Sequence, residues 1–113
     1  MTDTPAVQLM IMSGPEDGKL VTLAAPKNSD AYLIGRQPNP NLDVAISYDN
    51  QVSRQHARLF MKDGQWYLQD VGSKNGTYVG KNKLESITLL EPGQMFRVGR
   101  TWLRIQRADT DGS

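Results

Sequence analysis

Three stretches of the chain gather polar and basic side chains that packing alone does not require. The first is Gly35-Arg36 and the second is Ser53-Arg54-Gln55-His56. The third is Asp70-Val71-Gly72-Ser73-Lys74-Asn75-Gly76-Thr77. Brought together, they would offer two guanidinium groups, an ammonium, a hydroxyl and a side-chain amide, all able to donate hydrogen bonds. That set suits a phosphate monoester, which has three acceptor oxygens and about −1.5 to −2 charge at neutral pH. Arginine is the natural partner, because its planar fork meets two oxygens at once.

The elements that must position these stretches alternate with a period of two, and no helical period is sustained. Val7, Leu9 and Ile11 share one face of the segment 7–12, and after the Gly14-Pro15-Glu16-Asp17-Gly18 turn, 20–23 reads as a return strand. Short strands follow at 32–34 and around Val44 and Ile46. The segment 56–62 alternates clearly, with Ala57, Leu59 and Met61 opposite Arg58, Phe60 and Lys62. Asp63-Gly64 signals a hairpin into 66–71. Further strands are expected at 77–79, 87–90, 95–98 and 102–106. Many short strands punctuated by Gly, Pro, Asn and Asp predict an all-β sandwich. In such a fold, loops at one end converge although they are distant in sequence. A single domain over 6–107, with polar tails at 1–5 and 108–113, is expected.

The composition fits one soluble-type core in 113 residues, with 38% hydrophobic and 22% charged residues. Lys and Arg number 13 against 12 Asp and Glu. This near-balance argues against a nucleic-acid binder that works by bulk charge. With no cysteine there are no disulfides, thiolate metal sites or thiol nucleophiles, which fits a reducing, cytoplasmic compartment. No basic residue precedes Lys19, unlike a secretory leader, and no apolar run is long enough for a membrane helix.

Plainer readings compete at each position. Arg36 could be a surface arginine paired with Asp43 or Asp49, Ser53 could end a turn, and Arg54 and Lys74 could be solvated charges. Ser53 and His56 invite a nucleophile–base reading, but they lie three apart entering a strand and no Gly-x-Ser-x-Gly elbow surrounds the serine. No catalytic residue is therefore expected. His56 is the sole histidine and has no partner at metal-ligand spacing, so no metal or other cofactor is expected. Asn75-Gly76-Thr77 reads as a tight turn that uses Asn and Gly where positive φ is needed, rather than as a glycosylation acceptor. Asp43, Asp49, Asp63 and Asp70 scatter among turns, which disfavours a hydrolase.

The three motifs, in this order and spacing, resemble the forkhead-associated (FHA) domain family. The likeness runs in motif order from about Tyr32 to Val79, and the flanking strands fit that family's eleven-stranded sandwich. The resemblance implies a phosphothreonine-dependent protein–protein interaction module. In it Arg36 grips the phosphate, the Ser53 hydroxyl reaches it, and Arg54 adds to binding. Asn75 holds the peptide backbone near the phosphothreonine. Lys74 occupies a variable position, contributing by side chain or by backbone. Gly35, Ser73, His56 and Gly76 shape the loops. Gln51 stands near the position that reads the third residue after the phosphothreonine. The preference for threonine over serine likewise comes from the family likeness. The implied partner is a threonine-phosphorylated protein or peptide, bound by a monomeric domain, with neither nucleic acid nor membrane. A second reading keeps the fold and makes it a scaffold or self-association module that binds independently of phosphate.

Overall fold

The computed structural model describes residues 7–24, 26 and 31–108. Eleven strands form two sheets. They are β1 (Val7–Ile11), β2 (Leu20–Leu23), β3 (Tyr32–Gly35), β4 (Val44–Ala45), β5 (Ala57–Lys62) and β6 (Gln65–Asp70), followed by β7 (Thr77–Val79), β8 (Asn82–Lys83), β9 (Thr88–Leu90), β10 (Met95–Val98) and β11 (Thr101–Ala108). One sheet has the order β2-β1-β11-β10-β7-β8 and the other β4-β3-β5-β6-β9. The all-β architecture expected from the alternation is the one observed. β8 is not among the strands that the alternation predicts, and β11 runs on to Ala108. Of the expected tails at 1–5 and 108–113, Ala108 belongs to β11 and the rest lies outside the described residues.

Alternation explains which faces meet. Val7, Leu9 and Ile11 of β1 are buried while Gln8 and Met10 are only partly covered. Ala57 and Leu59 of β5 are buried, whereas Met61 is half-buried where its strand leaves the core. Phe96, Leu103 and Ile105 of the six-stranded sheet and Ile34, Leu59 and Leu68 of the five-stranded sheet belong to one continuous apolar cluster. Each such side chain contributes about 1.5–3 kcal/mol on burial.

The β5–β6 hairpin closes through Asp63 (φ 53°) and Gly64 (φ 79°), the left-handed pair of a primed turn whose twist matches that of the strands. At the other end of the same two strands, Ala57 pairs with Asp70. There the chain opens into the loops that carry the three motifs.

Candidate functional site

Gly35 ends β3 under a tight constraint. A Cβ built there would lie 2.1 Å from the Arg54 carbonyl oxygen, so only glycine lets the 46–56 loop approach this closely. The Gly35 carbonyl accepts the Ile46 N–H (2.8 Å), and the Arg36 N–H donates to the Ser53 carbonyl (3.1 Å). With its backbone pinned, half-buried Arg36 donates from Nε to the Val52 carbonyl (2.7 Å). Its terminal nitrogens keep their donors. The pairing with Asp43 or Asp49 considered above does not form. Asp49 accepts instead from the Gln51 and Arg100 N–H groups and from the Thr101 hydroxyl. Asp43 accepts the Leu33 N–H.

The 46–56 loop lies at the centre of the site. The Ser53 hydroxyl accepts the Lys74 N–H (3.0 Å), and the Asn75 side-chain amide donates to the Gln51 carbonyl (2.9 Å). Arg36, Ser53, the Lys74 backbone and Asn75 therefore meet on residues 51–53. Arg54 borders them with an exposed side chain, and its carbonyl accepts from the amide of buried Asn39 (2.9 Å). Neither Arg54 nor Lys74 pairs through its side chain with an acid among the described residues. What collects here is positive charge and unsatisfied donors.

His56 joins two of the loops from below. It is fully buried; Nδ1 accepts the Ser53 N–H (3.0 Å), and Nε2 lies 2.8 Å from the Gly76 carbonyl. Both bonds are satisfied by the neutral imidazole that carries its proton on Nε2. Burial holds its pKa below the ordinary 6.5, against the opposing pull of the Gly76 carbonyl, Asp70 and Asp49. Because Nδ1 faces the Ser53 N–H and not its hydroxyl, the histidine is not placed to activate the serine.

The third loop folds around Asp70. Its carboxylate accepts from the Ser73 and Thr77 hydroxyls and from the Gly72 and Ser73 N–H groups. Burial alone would raise the pKa of this carboxyl, but the four donors together hold it below its ordinary value of 3.8. The Ser73 hydroxyl also accepts the Gly76 N–H (2.8 Å). Within the Asn75-Gly76 pair only Gly76 takes a positive φ, at 87°. The expectation that Asn75 would share it is corrected: Asn75 keeps an ordinary backbone and reaches Gln51 instead.

Asp70, Asp49 and Asn39 are the organising residues that the sequence reading did not assign. Asp70 could have been found from Asp-x-Gly-Ser, a local side-chain turn. Asp49 and Asn39 make local turns of the same kind, onto the Gln51 and Asn41 N–H groups, but their bonds to partners 15 to 52 positions away carry no such signal.

An FHA domain matches residues 32–99. The FHA domain-containing protein FhaB of Mycobacterium tuberculosis is 32% identical over 98 residues, covering 87% of this chain and 59% of that protein. The chain thus spans about three fifths of the length of the FhaB relatives it matches. The solved FHA domain of a Chlamydia trachomatis protein superposes with a TM-score of 0.74 at 29% identity, covering 88% of this chain and 95% of that one. Mycobacterium tuberculosis EmbR, solved in complex with a low-affinity phosphopeptide, shares the fold with a TM-score of 0.72 at 23% identity, over 89% of this chain and 24% of that one. Sequence and overall fold agree, and the chain belongs to the FHA domain family.

Proposed function

We propose that the chain reads threonine-phosphorylated protein segments, and that its ligand sits in the cup formed by Arg36, Ser53, Arg54, Lys74 and Asn75. One observation carries this reading: donors from three distant loops meet on residues 51–53. The phosphopeptide complex of EmbR supports it by family likeness.

In this reading the terminal nitrogens of Arg36 clamp two phosphate oxygens and the Ser53 hydroxyl donates to one of them. The Lys74 N–H, now on Ser53, turns to the phosphate. The Lys74 ammonium and the Arg54 guanidinium add field from the rim, and Asn75 fixes the peptide backbone beside the phosphothreonine. Gly35, His56, Ser73 and Gly76 hold the loops and do not touch the ligand. No step of catalysis is involved. The module acts as a monomer in cytoplasmic signalling downstream of a Ser/Thr kinase.

Three or four charge-assisted bonds at about 1.5–3 kcal/mol each, less at least about 4 kcal/mol for association, reach affinity on the order of micromolar once the peptide's other contacts are added. Such binding is reversible and depends on the phosphate. The test is fluorescence anisotropy with phosphothreonine, phosphoserine and unmodified versions of one peptide library. Arg36→Ala should weaken phosphothreonine binding about 100-fold or more, with a melting temperature close to wild type. Equal binding of a partner before and after phosphatase treatment would defeat the proposal.

A further inference from the structure

The outward side of the six-stranded sheet takes no part in the function proposed above. Lys83, Arg97, Arg104 and Arg107 lie on its strands and no Asp or Glu does, although the whole chain has a net charge of only +1. The alternation that buries Leu9, Phe96 and Leu103 turns Met10, Met95, Arg97, Trp102 and Arg104 outward, each partly exposed.

Strand register sets the outward side chains in two rows across the sheet. One runs Leu20, Met10, Arg104, Met95 over β2, β1, β11 and β10. The other runs Trp102, Arg97, Tyr78, Lys83 over β11, β10, β7 and β8. Tyr, Trp, Met and Arg are the types that protein interfaces concentrate, and Asp and Glu are among those they deplete.

Arg97 is the most firmly held of these side chains. Its Nη1 donates to the Gly99 carbonyl (2.6 Å), and its guanidinium lies over Tyr78 (4.1 Å to the ring centre) and Trp102 (5.7 Å). Arg104 is steadied by Gln106, whose side-chain oxygen accepts from its Nε (3.1 Å). Neither arginine meets an acid: among the described residues the one ion pair joins Lys19 to Glu16. Two guanidinium groups are thus held in place with donors open and no counter-charge.

Charge and spacing decide what fits here. A second copy meeting this face by its own would set arginine against arginine, so the face is not self-complementary. Single-stranded nucleic acid would need ring faces that Arg97 already covers. An acidic polypeptide with apolar side chains suits both rows. Along a row, side chains repeat at the strand spacing of about 4.8 Å, close to the α-helical pitch of about 5.4 Å. A helix laid across the strands places about one turn on each.

We propose that this face docks an acidic amphipathic helix of a partner protein, with Arg97 and Arg104 taking its carboxylates and Met10, Met95 and Trp102 its apolar side chains. The docking needs no phosphate and does not rest on the phosphothreonine reading. The face is a side of the sandwich and the cup is at one end, so both can be filled together.

Display selection on the whole chain tests it, with helical peptides of about 20 residues that carry Glu along both flanks of a varied apolar stripe. A second library holds the same compositions in scrambled order. Selected helices should bind at least about tenfold tighter than scrambled peptides of equal charge. They should shift the amide resonances of β1, β10 and β11 and leave those of β5 and β6 in place. Arg97→Ala should weaken them about tenfold or more, and Arg104→Glu, which keeps the aromatic clamp, about as much. Arg104→Glu carries the test should Arg97→Ala fail to fold. Lys62→Ala, on the other sheet, should change affinity by less than about twofold. Selection no better than from the scrambled library, or binding that survives Arg104→Glu, overturns the proposal. So does a single-stranded oligonucleotide of about 20 nucleotides that displaces the selected helices and binds more tightly. Self-association of the chain that Arg104→Glu abolishes would overturn it as well.

Discussion

The two ends of the β5–β6 ribbon solve the same problem by opposite means. At one end Asp63 and Gly64 turn the chain by backbone conformation, and Lys62 to Gln65 are all exposed. At the other, buried His56, Asp49 and Asn39 tie loops together across 15 to 52 residues of sequence, and partly buried Asp70 closes its own loop onto Thr77, 7 residues on. A hairpin that only reverses the chain needs no inward-facing polar groups. Loops that must hold guanidinium groups in register do need them, because an unsupported loop would lose that geometry to conformational entropy.

This contrast breaks most sharply at glycine. Gly35→Ala should cost at least about 3 kcal/mol or prevent folding, since the new methyl must displace the Arg54 carbonyl. Gly64→Ala has open space around it and only a left-handed φ to bear, so about 1 kcal/mol is expected. Urea titrations of the two variants measure the difference, and equal losses would dissolve the distinction between the ends.

His56→Leu ranks next. It leaves the Ser53 N–H and the Gly76 carbonyl without their buried partner, for an expected loss of about 2–4 kcal/mol by chemical denaturation. Phosphopeptide affinity should fall with it, because Ser53 loses its support.

Acid offers a milder form of the same break. The His56 pKa lies below 6.5 in the fold, so the unfolded chain takes up a proton first as the pH falls. The contribution of the neutral imidazole is complete above 6.5 and declines as the pH drops toward the folded value. Asp70 responds only later, below its ordinary 3.8, where its depressed carboxyl begins to protonate. Thermal melts should therefore fall between about pH 7 and pH 5 in wild type and stay flatter in His56→Leu. Parallel curves would remove His56 as the cause. At the hairpin, Lys62→Ala should change stability by less than about 0.5 kcal/mol and leave binding untouched.

The division between legible and hidden features follows the range of the interactions. β1, β5 and β6 were readable because alternation is written in consecutive residues. β8 was not: Asn82 and Lys83 are both exposed, and they form a strand only by pairing with Tyr78 and Val79. Ile87 resembles a strand residue but is 50% exposed, and β9 begins one position later. In the site, the motif residues announced themselves by type. The grip of Asp49 on Arg100 and Thr101 could not, since 51 and 52 residues separate the partners.

The pairing of Val7 with Ala108 bears on how the domain can be handled. At the pole that carries the three motif loops, the far ends of the same two strands adjoin the Ser13–Arg100 corner. β1 therefore begins and β11 ends at the pole away from Arg36. Surface immobilisation, a fluorescent fusion or tandem linkage through either terminus should all leave the cup open to its ligand.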